Sequence, residues 1–127
     1  MNRVVADASA LAAVMFQEPG IDDVKLRLLG AEVFAPRLLQ FEMANVAWKR
    51  IRRQPDEALA TLTVLQAALG EGSGIHWMDV NTTDVVLIAK ATGLTAYDAS
   101  YLWLAGSLGA DLVTLDKRLA AASASDT

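Results

Sequence analysis

Short apolar runs that read as strands alternate with longer helical stretches from one end of the chain to the other, and this alternation most limits how it can fold. Arg3 to Asp7, Glu32 to Ala35, Ile75 to Met78 and Asp111 to Leu115 have strand character. Helical segments separate them, so successive strands run parallel and need helices to cover them. The fold class predicted is α/β, with a mostly parallel sheet in a single domain over residues 1–127. Punctuation residues mark the helices. Ser9 to Phe16 is the first, and Ile21 to Leu29 is stopped by Gly30. Pro36 opens a long helix from about Arg37 to Arg53, and Pro55 opens another that reaches Leu69. Thr82 or Thr83 caps a helix that Gly93 ends, and Thr95 caps the next, which Gly109 stops after Leu108. A last helix from about Asp116 is expected to fray over 123–127.

Four acids sit against this pattern. Asp7 closes the run Val4-Val5-Ala6 and Asp116 follows Leu112-Val113-Thr114-Leu115, so both leave the carboxyl ends of buried strands, the edge where ligands of open α/β sheets bind. Glu42 shares a helix face with Leu38, Leu39 and Val46, and Asp98 with Tyr101 and Leu102. Each acid alone has a structural reading. Asp7, with Ser9, caps a helix, Asp98 fits a capping box with Thr95, Asp116 caps the last helix, and Glu42 is a solvated helix residue. Together they point to one desolvated cluster, where mutual repulsion would raise their pKa values unless a divalent cation held them ionised.

The charge balance agrees. The net charge is −4, but setting the four acids aside leaves 11 acidic against 11 basic residues. The excess is the site, which argues against a broad phosphate-binding surface and not against a metal-bridged phosphate substrate. No cysteine is present, excluding disulfides and thiolate chemistry, and His76 is the lone histidine, excluding a multi-histidine metal site. Asp7 interrupts what would otherwise suggest a secretion signal, and the run Ala10 to Phe16 cannot span a bilayer. A soluble, cytoplasmic protein without membrane contact is expected.

Four ordered blocks carry a family resemblance: Val4 to Leu11, Leu39 to Val46, Thr95 to Tyr101, and Leu112 to Leu119. In this order and at these separations the chain resembles the PIN domain family, and in particular its VapC-like toxins. The resemblance implies a three-layer α/β/α sandwich with a four- or five-stranded sheet. Members often add a strand after the last helix, whereas this sequence continues for only eleven residues past Asp116. It also implies a magnesium-dependent endoribonuclease, with manganese as a substitute ion, held in check by a cognate VapB-like antitoxin. The family's acidic quartet falls on Asp7, Glu42, Asp98 and Asp116, and its small hydroxyl positions on Ser9 and Thr114. Asp7 and Asp98 are then the principal ligands, Asp116 completes the shell, and Glu42 binds or orients the attacking water. Ser9 and Thr114 orient those carboxylates by hydrogen bonds. One ion, or a second held with help from substrate phosphate, suits the chemistry.

Lys49, Arg50, Arg52 and Arg53 form the dense basic cluster, either complementing a helix C-terminus or touching RNA phosphates. Trp48, Trp77, Trp103, Tyr97 and Tyr101 read as core or interface residues, and His76 as a hydrogen-bonded structural residue. The apolar faces of the helices at 37–53 and 55–69 exceed what one small core hides. They are candidates for homodimerisation, for an antitoxin groove and for a larger toxin–antitoxin assembly. Two rival functions remain. An Asp-dependent phosphotransferase lacks its second acid, because Ser9 stands two residues after Asp7. A catalytically silent interaction module would keep the fold but is disfavoured by the intact acids.

Overall fold

The computed structural model describes residues 2–125, which form four strands and seven helices. The strands are β1 (Arg3–Ala6), β2 (Glu32–Pro36), β3 (Ile75–Met78) and β4 (Asp111–Val113). They pair in the order β3-β2-β1-β4, every pair parallel, with Val5 opposite Phe34 on one side and Leu112 on the other. All four carboxyl ends therefore emerge along one edge. The helices are α1 (Ala8–Met15), α2 (Ile21–Leu28), α3 (Leu38–Arg53), α4 (Ala58–Leu69), α5 (Thr82–Thr92), α6 (Ala96–Leu108) and α7 (Lys117–Ser125), with a tight helical turn at Pro55–Glu57 before α4.

Successive residues of a strand face opposite sides of the sheet, and two apolar clusters follow from that. Val4 and Val113 pack with Ala10 and Val24 on one side. Val5, Leu112 and Phe34 pack on the other with Leu39 and Met43 of α3 and Tyr101, Leu102, Leu104 and Ala105 of α6. Covering both faces makes the predicted three-layer α/β/α sandwich. It also explains why Val4, Val5 and Ala6, all buried, form an unbroken apolar run rather than an alternating one.

Element ends depart from the sequence reading in instructive ways. Pro36 ends β2 instead of opening α3; it pairs only with Met78 of β3, beyond the last β1–β2 partners, so its missing N–H leaves that ladder intact. Asn81, not Thr82 or Thr83, caps α5, its side chain accepting the Asp84 N–H at 3.1 Å. Strand β4 stops at Val113, two residues early. Helix α7 continues through Ser125, so residues 123–125 do not fray as expected, while 126–127 lie outside the described residues. No fifth strand occurs among the described residues. Gly93 and Gly109 end α5 and α6 as expected, at φ of 76° and 62°, where a side chain would be strained.

The aromatic residues divide. Tyr101 is buried, Trp77 and Trp103 are half-buried, and Trp48 and Tyr97 are exposed and lie outside the core. The His76 ring stacks on Phe34 at 4.7 Å with Glu32 3.8 Å away, and its side chain makes no hydrogen bond among the described residues. Among the described residues no helix is long and apolar enough to cross a membrane.

Candidate active site

Asp7 follows β1 directly and caps α1. Its backbone stays extended, with φ −94° and ψ 179°, so its carboxylate turns back onto the first helical turn, where Oδ1 accepts the Ala10 N–H at 3.0 Å. Two hydroxyls complete its surroundings. Ser9 donates to Oδ1 at 2.7 Å, and Thr114, just past the end of the neighbouring strand β4, donates to Oδ2. The same hydroxyls accept backbone N–H groups in return, Ser9 from Leu115 at 2.9 Å and Thr114 from Asp116 at 3.0 Å. These side-chain bonds begin where β4 ends, at Val113, and serve the N–H groups of Leu115 and Asp116 beyond the ladder. Asp7 is only 6% exposed, and its three donors replace the water it gives up.

The other acids arrive from three further elements. Asp116 lies just ahead of α7, its Oδ1 accepting the Leu119 N–H at 3.0 Å, and is itself exposed. Asp98 sits in the first turn of α6, which Thr95 caps by accepting the Asp98 N–H at 3.1 Å. Glu42 lies in the second turn of α3 beside buried Leu39 and Met43, and its Oε1 accepts the Tyr101 hydroxyl proton. Asp7, Asp98 and Asp116 thus stand at the amino ends of α1, α6 and α7, where helix dipoles offset part of their repulsion.

Electrostatics connects all four. Burial raises the Glu42 pKa and the charges of Asp98 and Asp7 add to the rise, while the Tyr101 hydrogen bond opposes it. Burial likewise raises that of Asp98, with Asp116 and Asp7 contributing and Arg118 and Thr95 pulling it down. Burial pushes the Tyr101 hydroxyl far up, reinforced by its bond to Glu42 and that residue's charge, so it stays a protonated donor. The charge of Asp98 is within reach of those of Glu42, Asp7 and Asp116. Among the described residues, however, no three of the acids stand close enough together, as they lie, to form a group that could hold a metal ion. They line an open array. Magnesium, which keeps several waters and is bound through only one or two carboxylates, asks less of such an array than an ion wanting a full protein shell.

The structure brings Asp7, Ser9, Glu42, Asp98, Thr114 and Asp116 together and does not bring the basic cluster to them. Helix α3 runs back from the carboxyl edge, so Lys49, Arg50, Arg52 and Arg53 stand roughly 10–16 Å beyond Glu42 along its axis. Arg50 covers the Phe16 ring at 4.5 Å and Arg52 approaches that of Trp48 at 5.8 Å. Lys49, Arg52 and Arg53 line a cavity of about 450 Å³ with Val46 at that far end. Tyr101 and Arg118 are site residues that sequence reasoning passed over. Their signal was spacing: Tyr101 is one helical turn after Asp98, and Arg118 is two residues after Asp116.

The family model of the PIN domain matches residues 4–124. This chain belongs to the PIN domain family. The PIN domain described here is 34% identical over 122 residues to Ribonuclease VapC3 of Pyrobaculum aerophilum, covering 93% of this chain and 92% of that one. It is 35% identical over 81 residues to Exonuclease VapC9 of the same organism, covering 64% and 59%. Its fold superposes on the crystal structure of PAE2754 from Pyrobaculum aerophilum with a TM-score of 0.76 at 28% identity, over 96% of this chain and 86% of that one. With Ribonuclease VapC3 matching along nearly its whole length, this PIN domain is VapC-like.

Proposed function

We propose that this PIN domain is a magnesium-dependent endoribonuclease, the toxin of a toxin–antitoxin pair, acting in the cytoplasm and inhibited by a VapB-like antitoxin. One observation carries the reading: four acids from four elements converge at the carboxyl edge of the sheet, and the most buried, Asp7, is fixed by three donors. Neither a serine nor a histidine nucleophile is offered by this arrangement, because the Ser9 and Thr114 hydroxyls donate to Asp7 and His76, the lone histidine, lies within β3. The name of Ribonuclease VapC3 supports RNA as the substrate class.

Asp7 and Asp98 would hold the ion, with Asp116, whose charge reaches Asp98, available to the outer part of its shell. Bound magnesium, or manganese in its place, supplies the positive charge that activates water and steadies the developing negative charge on the scissile phosphate. Ser9 and Thr114 keep the Asp7 carboxylate in one orientation, so that no reorganisation is needed when substrate arrives. Glu42, with its raised pKa and one oxygen held by Tyr101, is suited to accept a proton from the attacking water through its other oxygen.

The exposed apolar side chains Trp48 of α3 and Leu59 and Leu62 of α4 support partner binding at these two helices, by a second copy of the chain or by the antitoxin. A direct test of the activity is incubation with a linear and a circular RNA in Mg2+ or Mn2+, with and without EDTA, using wild type and Asp7→Asn. Wild type is expected to cut both RNAs, the circle establishing internal cleavage, and chelator or Asp7→Asn to abolish the products. Cleavage that survives in Asp7→Asn, or that ignores EDTA, overturns the reading; cutting of the linear RNA alone makes it an exonuclease.

A further inference from the structure

Two arginines outside the basic cluster follow strands at the edge of the sheet where the acids emerge. Arg37 directly follows β2, and Arg118 lies in the first turn of α7, which follows β4. Strands β2 and β4 are the two neighbours of β1, the strand that delivers Asp7. The sheet order therefore sets Arg37 and Arg118 on opposite sides of the site, on strands about 10 Å apart. Neither guanidinium is committed to the core. Arg37 gives only its Nε to Asp79, just past β3 on the side away from β1, at 2.9 Å in an exposed pair of the kind that contributes little to stability and that a phosphate can displace. Arg118 gives one Nη to the Gly93 carbonyl at 3.1 Å, which fixes the head beside the α5–α6 turn and close enough to Asp98 to stabilise its charge. The remaining donors of both make no other hydrogen bond among the described residues.

A polyanionic strand entering an acidic site needs such cations. A metal ion neutralises charge at the scissile phosphate, but the phosphates before and after it still face Asp7, Glu42, Asp98 and Asp116. A planar guanidinium with free donors is the side chain best matched to phosphate oxygens. We propose that Arg37 and Arg118 grip the RNA phosphates on either side of the bond to be cut, so that the substrate strand lies across the sheet edge from β2 to β4. This rests on the ribonuclease reading above and adds to it the course and polarity-independent footing of the substrate. The dense cluster of Lys49, Arg50, Arg52 and Arg53 is then not part of the track, being far along α3 and in part stacked on rings.

The test is fluorescence anisotropy with a labelled single-stranded 2′-O-methyl oligoribonucleotide, which resists hydrolysis, in Mg2+ over a series of salt concentrations. Arg37→Gln and Arg118→Gln are each expected to weaken binding about threefold or more and to reduce the slope of log affinity against log salt by about 0.7. Arg118→Lys keeps the charge and is expected to recover the slope, even if loss of the Gly93 contact makes Arg118→Gln fold poorly. Wild-type affinity and slope in either glutamine variant overturn the track, as does a loss confined to the triple variant Lys49→Gln, Arg52→Gln, Arg53→Gln, or an oligonucleotide that wild type does not bind. Failure of the ribonuclease reading is distinct, because it is read from cleavage of unmodified RNA and its dependence on metal.

Discussion

Thr114 donates its hydroxyl proton to Oδ2 of Asp7, a residue 107 positions earlier, while accepting the N–H of Asp116 at 3.0 Å. One hydroxyl thereby sets the orientation of a carboxylate and the start of the segment carrying a second acid. With Ser9 bridging Asp7 and Leu115 in the same manner, the ends of β1 and β4 are joined by side chains where the ladder itself stops.

Removing that hydroxyl without changing side-chain shape isolates its contribution. Thr114→Val is expected to lower metal affinity or cleavage rate by about 10–100-fold, the usual cost of losing a group that orients a ligating carboxylate. Thr114→Ser, which keeps the hydroxyl, should stay close to wild type. Titration with Mn2+ followed by calorimetry, alongside RNA cleavage, measures both; equal behaviour of the valine and serine variants would mean that the hydroxyl does nothing for Asp7.

Burial of Glu42, with repulsion from Asp98 and Asp7 added, gives a pH dependence of defined sign. Burial raises the Glu42 pKa above its ordinary 4.5, so the folded state favours its protonated form. The stability linked to that proton is fully present below the unfolded-state pKa and is lost as pH rises through the raised folded value. Glu42→Gln keeps an oxygen to accept from Tyr101 and removes the charge. In EDTA the variant should therefore melt higher than wild type at neutral pH, and the difference should shrink as pH is lowered toward 4.5. A melting-temperature difference that is flat with pH, or that grows on acidification, contradicts the assigned burial.

Metal binding should act on the same balance from the other side. An ion that binds the folded chain alone stabilises it by RT ln(1 + [L]/Kd), about 2.7 kcal/mol at a hundred times its dissociation constant. Urea unfolding of wild type with and without saturating Mg2+ is expected to differ by roughly that amount. Asp7→Asn and Asp98→Asn should lose most of the increment. An equal increment in both variants would move the ion away from this site.

Much of this arrangement was legible in the sequence, for reasons that particular residues make plain. Buried parallel strands leave continuous apolar runs, so Val4-Val5-Ala6 and Leu112-Val113 located two neighbouring strands and with them the edge on which Asp7 and Asp116 emerge. Glu42 and Asp98 were visible because a carboxylate among Leu39, Tyr101 and Leu102 conflicts with the periodicity of its helix. Tyr101 was legible only as an apolar ring: nothing local states that its hydroxyl reaches Glu42, 59 residues away. Arg37 and Arg118 stayed hidden because their meaning comes from strand order, which places β2 and β4 on either side of β1. The basic cluster drew attention through density, although the direction of α3 carries it away from the acids.

Helix α5 offers a test of the fold that does not touch the site's chemistry. Two threonines follow Asn81, and any of the three side chains could in principle cap the helix, yet Asn81 has the extended backbone, at φ −81° and ψ 106°, and its side chain accepts the Asp84 N–H. Asp84 in turn accepts the Trp103 indole N–H at 3.2 Å, so the cap also steadies the contact between α5 and α6. Asn81→Ala is expected to cost about 1 kcal/mol in chemical unfolding, and Thr82→Ala and Thr83→Ala markedly less. Because Asn81 lies at the start of α5 while the acids of α6 and α7 are held by their own caps at Thr95 and Asp116, metal affinity in Asn81→Ala should match wild type at temperatures well below its melting point. A threonine variant that destabilises more than Asn81→Ala would reassign the cap.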